Sequence, residues 1–137
     1  MRHGDYACAL LLQEGKVLLG LRSPERRTYP NCWDILGGFV EAPEALEAAL
    51  ARELQEELGI TPTAWRKLTV IDEPHPDLNG RGRYHVFVVT AWTGGLEMLG
   101  DEHVQLEWFA PKEAAALDAL ALPQYRDLFA LASQATS

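Results

Sequence analysis

At 137 residues the chain suits one ordinary domain, able to bury roughly two-thirds of its unfolded surface without staples. Twelve Lys and Arg against 20 Asp and Glu give a net charge of −8, which argues against binding nucleic acid or an anionic membrane through a broad patch. Divalent cations can still join such a surface to a small phosphate compound.

Cys8 and Cys32 have neither CxxC nor zinc-ligand spacing, and Cys8, inside an apolar run, reads as a small buried hydrophobe. Met1 to Tyr6 include an acid and lead into a short apolar stretch, so no signal peptide is expected. The apolar runs fall far short of the roughly 20 residues of a membrane span. The expectation is a cytoplasmic protein.

Taken in chain order, Tyr6–Leu12 and Lys16–Leu21 are apolar runs joined by Gln13-Glu14-Gly15, a predicted β-hairpin. Ser23–Asn31 is a polar loop carrying Arg26 and Arg27, just after Arg22. Trp33–Leu36 is a brief strand that Gly37-Gly38 should end in a tight turn. The clearest helix spans Pro43–Leu58: Leu46, Ala49, Leu50, Leu54 and Leu58 keep the 3, 4 spacing of one face. Pro43 suits its first turn, and Gly59 with Pro62 beyond should stop it. Strands are predicted at Arg66–Ile71, Tyr84–Thr93 and Gln105–Phe109. The loop Asp72–Arg83 contains an Asn79-Gly80 turn signal, and further helices are predicted at Pro111–Leu120 and Gln124–Ala132. With no repeat or linker to divide it, the chain reads as a single domain over 1–137. Its class is α+β, an α/β/α sandwich with a mixed central sheet flanked by helices.

The polar side of the first helix holds the chemistry. Glu53 faces Glu56 at i, i+3 and Glu57 at i, i+4, so like charges converge at a cost of roughly a few tenths of a kcal/mol per pair. A helix built for solubility would interleave Lys. Here a hard cation, which takes carboxylate oxygens, would remove the repulsion. An acidic helix face alone is more often simply solvated, and the preceding Gly-rich stretch, Gly37-Gly38-Phe39-Val40-Glu41-Ala42-Pro43-Glu44, shifts the balance.

From Gly38 to Ile60 the segment resembles the Nudix box, GX5EX7REUXEEXGU with U aliphatic, and matches its nine specified positions in a span of 23. Further likeness runs through Leu21-Arg22, Trp33 to Gly38 and Glu107-Trp108-Phe109. Pro43 departs from the Gly that many members carry before the Glu, which leaves the loop without a φ > 0 residue there.

The resemblance implies the Nudix fold and a hydrolase acting on a phosphoanhydride bond of a nucleoside di- or triphosphate or related nucleotide, as MutT-like pyrophosphohydrolases do. It implies Mg²⁺, with Mn²⁺ as substitute, held by Glu53, Glu56, Glu57 and the Gly38 carbonyl. Arg52 would orient the carboxylates, and Gly37 and Glu44 would support the loop. Glu102, in the acidic loop Asp101-Glu102-His103, is the favoured general base outside the box, ahead of Glu97 and Asp101. A solvated loop acid is an equal reading of it.

Arg22 is the favoured phosphate contact, with Arg26, Arg27, Arg81 and Arg83 as helpers. Trp33 and Asp34 could stack on and hydrogen-bond to a base, against the bland reading of a core Trp and a surface Asp. His75, His85 and His103 lack metal-ligand spacing and receive no role. Rival substrates are ADP-ribose, other nucleotide sugars, dinucleoside polyphosphates and capped RNA. A non-catalytic nucleotide sensor is the rival outside the enzymes. The partner expected is a small nucleotide, with the chain a monomer or homodimer.

Overall fold

The computed structural model describes residues 4–134, so the reading of Met1, Arg2 and His3 lies outside it. Its strands are β1 (Gly4–Gln13), β2 (Lys16–Arg22), β3 (Trp33–Asp34), β4 (Leu36–Phe39), β5 (Thr61–Asp72), β6 (Gly82–Thr93) and β7 (His103–Phe109). The helices are α1 (Leu46–Leu58), α2 (Pro76–Asn79), α3 (Pro111–Ala115) and α4 (Tyr125–Gln134).

Alternation along β1 sets the layers. Ala7, Ala9 and Leu11 pack beneath Leu50, Leu54 and Leu58 of α1, while Cys8, Leu10 and Leu12 pack against Tyr125, Leu128 and Phe129 of α4. A strand buried on both faces must be covered on both, which makes the α/β/α sandwich. Cys8 is a free, buried thiol within this core. Each fully buried leucine of α1 contributes roughly 1.5–3 kcal/mol.

The sheet is mixed. β1 runs parallel to β6 from Gly4↔Gly82 to Leu11↔Val89 and antiparallel to β4 from Tyr6↔Phe39 to Ala9↔Leu36. The hairpin β1–β2 closes at Leu12↔Val17, and β2 also pairs with β3 and β7. β5 is antiparallel to β6. No helix among the described residues is long and apolar enough to cross a membrane.

Three local expectations are corrected. Gly37-Gly38 does not turn: both lie inside β4, opposite Cys8 and Ala7. Helix α1 begins at Leu46, not Pro43, because Ala45 is extended (φ −75°, ψ 157°) and Glu41–Glu44 form a turn closed by the Glu44 N–H on the Glu41 carbonyl. The predicted helix Pro111–Leu120 ends at Ala115. Beyond it, the Trp33 N–H donates to Ala119 O and the Ala121 N–H donates to Trp33 O, so residues 119–121 are needed as an extended edge beside β3. The Arg126 guanidinium takes up the Ala115 and Leu117 carbonyls left at the break.

Candidate active site

The close approach of β4 to its neighbours depends on two missing side chains. A Cβ on Gly37 (φ +124°) would lie 2.1 Å from Ala7 O, and one on Gly38 would lie 2.4 Å from Glu53 Cδ. Glycine is therefore required at Gly37, while at Gly38 the missing side chain lets the Glu53 carboxylate rest over the backbone. From there the Gly37 N–H donates to Glu57 Oε2 at 2.9 Å.

Arg52 organises the remaining acids. Its Nε and Nη2 reach Glu44 at 2.8 and 3.0 Å, Nη2 also donates to Phe39 O at 3.0 Å, and Nη1 reaches Glu53 at 3.1 Å and Glu56 at 3.3 Å. This pairing holds the Glu44 carboxyl down at about 2, chiefly through the Arg52 hydrogen bonds, aided by a backbone bond in the turn. Glu44 in turn accepts the Glu41 N–H, so one ion pair fixes both the loop and the helix face.

The far wall of the site comes from the β6–β7 loop. The N–H groups of Glu97 and Leu99 donate to the last carbonyls of α1, at Leu58 and Glu57, while Gly59 closes the helix in the left-handed conformation expected of it. The Ser23 N–H holds Glu102 O at 3.0 Å. Glu102 is thereby carried to the buried Glu57, and Arg26 Nη1 stands 3.6 Å from it. Exposed Glu97 and Asp101 do not line the cleft.

Glu57, Glu102 and His103 each offer a ligand atom within 4.8 Å of the others. Among the described residues this is the compact donor group, while Glu53 and Glu56 stand beside it on Arg52. Burial, and then the neighbouring Glu102 carboxyl, drive the Glu57 carboxyl far above the usual range. Burial also raises Glu53. Glu57 Oε1 is buried with no hydrogen-bond partner. Crowded, desolvated carboxylates with an orphaned oxygen fit a divalent cation, which supplies the missing charge. His103, given no role above, belongs to this group; burial lowers it to about 4, so its ring is neutral near pH 7.

A cleft of about 570 Å³ opens from these acids. Arg22, Arg26 and Arg27 line one side, but Arg22 is largely committed: it donates to Thr28 O at 2.7 and 3.0 Å and to Asp34 at 3.3 Å. Arg81 and Arg83 border a separate depression, where Arg83 pairs with Asp5.

Asp34 lines the cleft. Burial raises it to about 6 against the opposing Arg22 charge and Tyr125 hydroxyl. Trp33 does not line it. Successive strand residues point to opposite sides, and its ring meets Phe109 edge-on at 5.1 Å in the α4-side core, which corrects its reading as a stacking surface.

The inner end holds Tyr6, Tyr29, Phe39 and Tyr84, none of them singled out by sequence. Buried Glu73 joins two of these by accepting from the Tyr29 and Tyr84 hydroxyls at 2.8 and 2.7 Å. No local motif marks them, since they come from β1, β4, β6 and the β2–β3 loop.

The NUDIX domain family model matches residues 1–131. The chain is 33% identical to the CTP pyrophosphohydrolase of Escherichia coli K12 over 115 residues, covering 83% of this chain and 81% of that one. It is 30% identical to the nucleoside triphosphatase NudI of Salmonella paratyphi B over 127 residues, 86% and 89% of the two chains. Its fold superposes on a MutT NUDIX hydrolase from Burkholderia pseudomallei with TM-score 0.81 at 25% identity, over 100% of both. Such hydrolases generally use a divalent metal and act on small nucleotides.

Proposed function

The chain belongs to the NUDIX family of hydrolases, and on that premise we propose that it is a Mg²⁺-dependent, MutT-like pyrophosphohydrolase of nucleoside triphosphates, cleaving a phosphoanhydride bond to leave a monophosphate and pyrophosphate. It acts as one domain over 1–137, in the cytoplasm, as a monomer or homodimer. The observation that carries the reading is Glu57, buried with one oxygen on the Gly37 N–H and the other unpartnered, next to Glu102, which lines a cleft with Arg22, Arg26 and Arg27.

Glu53, Glu56, Glu57 and the Gly38 carbonyl would hold Mg²⁺, or Mn²⁺ in its place. The bound ion neutralises phosphate oxygens and lowers the pKa of the attacking water. Arg52 keeps the carboxylate rotamers, with Gly37 and Glu44 fixing the loop. Glu102 accepts the water proton. Arg26 and Arg27 reach the polyphosphate, and Arg22 holds the cleft wall and Asp34. The buried carboxyl of Asp34 reads the base edge as donor or acceptor according to its protonation.

The test is a panel of nucleoside triphosphates, oxidised nucleotides, nucleotide sugars and dinucleotides with Mg²⁺, then with EDTA. Monophosphate and pyrophosphate should form from triphosphates in Mg²⁺ alone. Turnover confined to nucleotide sugars, or undiminished in EDTA, defeats the reading.

A further inference from the structure

We propose that His103 is a nitrogen ligand of the divalent cation at this site, forming with Glu57 a mixed nitrogen–oxygen donor set. The proposal rests on the metal-dependent reading above and adds a residue outside the box.

Its basis is a gap between two buried groups. His103 Nδ1 and Glu57 Oε1 face each other at 4.0 Å, and each side chain is only 6% exposed. That distance is too long for a hydrogen bond. It lies close to twice the roughly 2.0–2.1 Å at which nitrogen and oxygen donors meet small divalent ions. Glu57 Oε1 has no other partner, whereas its second oxygen is used by the Gly37 N–H. Among the described residues, no hydrogen bond reaches either ring nitrogen of His103. A buried, unpartnered carboxylate oxygen 4.0 Å from a buried imidazole nitrogen leaves room for an ion between them. Glu102 borders the same space.

The ring is held in place. A Cβ on Gly20 would lie 2.6 Å from His103 Cδ2, so the bare β2 backbone is what lets the imidazole lie there. A register shift between Leu21 and Arg22 sets His103 opposite Arg22 at the start of β7. An imidazole nitrogen offers a lone pair to a metal. A bridging water would also fill 4.0 Å, but it would give no metal–nitrogen bond. Imidazole favours transition ions over Mg²⁺, so the donor set should shift the site towards Mn²⁺.

The experiment titrates Mn²⁺ alone into the metal-free full chain and records electron spin-echo modulation from directly bound ¹⁴N. The wild type should show coupling to one imidazole. His103→Gln should lose it, weaken Mn²⁺ binding at least about tenfold, and weaken Mg²⁺ binding less. His3→Asn, His75→Asn and His85→Asn should retain the coupling, and its loss in any of them instead of in His103→Gln overturns the assignment. Should His103→Gln not fold, the wild-type spectrum and these three controls still decide, since they cover every other histidine of the chain. Mn²⁺ bound without nitrogen coupling overturns the role of His103 and leaves the metal-dependent reading standing. Absence of Mn²⁺ and Mg²⁺ binding overturns both.

Discussion

The guanidinium of Arg52 grips Glu44 with two nitrogens, at 2.8 and 3.0 Å, across the loop that precedes its own helix. A third nitrogen is left to share between Glu53 and Glu56. Lys offers a point charge without that planar fork. Arg52→Lys should therefore lower activity about 10–100-fold, the usual cost of losing a group that orients metal ligands. Titrating Mg²⁺ against rate checks it: the loss should appear with a weaker apparent Mg²⁺ affinity, and an unchanged Mg²⁺ midpoint would leave Arg52 without this role.

Glu57→Gln should abolish most turnover and yet stabilise the metal-free fold. The carboxyl is buried beside Glu102 and raised far above its ordinary value, so its ionised form disfavours folding as pH rises. Gln keeps the acceptor for the Gly37 N–H and removes the charge. In EDTA at pH 8 the Tm of the variant should exceed wild type, by about 3–5 °C for each 1 kcal/mol regained. A lower Tm would give Glu57 a structural role instead.

Asp34 makes its own pH signature. Its folded value of about 6 lies above its unfolded value near 4, so the folded state binds more protons in between. Its contribution to stability is full below pH 4 and is lost as pH rises through 6. Asp34→Asn, which stays neutral, should gain on wild type by up to about 3 kcal/mol over that window. Urea unfolding in EDTA at pH 4, 5, 6 and 7.5 measures the difference. A gap that stays constant with pH contradicts it.

Glu102→Gln should lower kcat by roughly 10²–10⁴-fold with little change in KM, the pattern of a lost general base. Steady-state kinetics beside Glu53→Gln decide the matter. A kcat within about threefold of wild type moves proton acceptance to Glu53.

Legibility in the sequence followed the range of the forces involved. Helix α1 and its stop at Gly59 were readable, because Leu50, Leu54 and Leu58 repeat along one face and the left-handed cap is a local event. So were the carboxylates, whose spacing fixes their side of the helix. The start at Leu46 was not, since Glu44 is drawn out by Arg52, eight residues on. His103 was invisible for a stronger reason. Its place depends on a bulge in the β2–β7 register and on an absent side chain at Gly20, some 80 residues away. The turn reading of Gly37-Gly38 failed similarly, because the partner that demands glycine at Gly37 is the carbonyl of Ala7 on β1.

The parallel pairing of β1 with β6 bears on how the chain is made. Gly4–Leu11 finds its neighbour only at Gly82–Val89, so a ribosome adding about 5–20 residues per second has completed the whole of α1 before that neighbour exists. Until then β1 has only β2 and β4 beside it. The nascent domain must carry its acidic helix with one long edge of the central strand still open, and pairing of such sequence separation is intrinsically slow. Chain synthesis thus delivers Glu53, Glu56 and Glu57 before the strand that pairs with β1, and Glu102 and His103 after it.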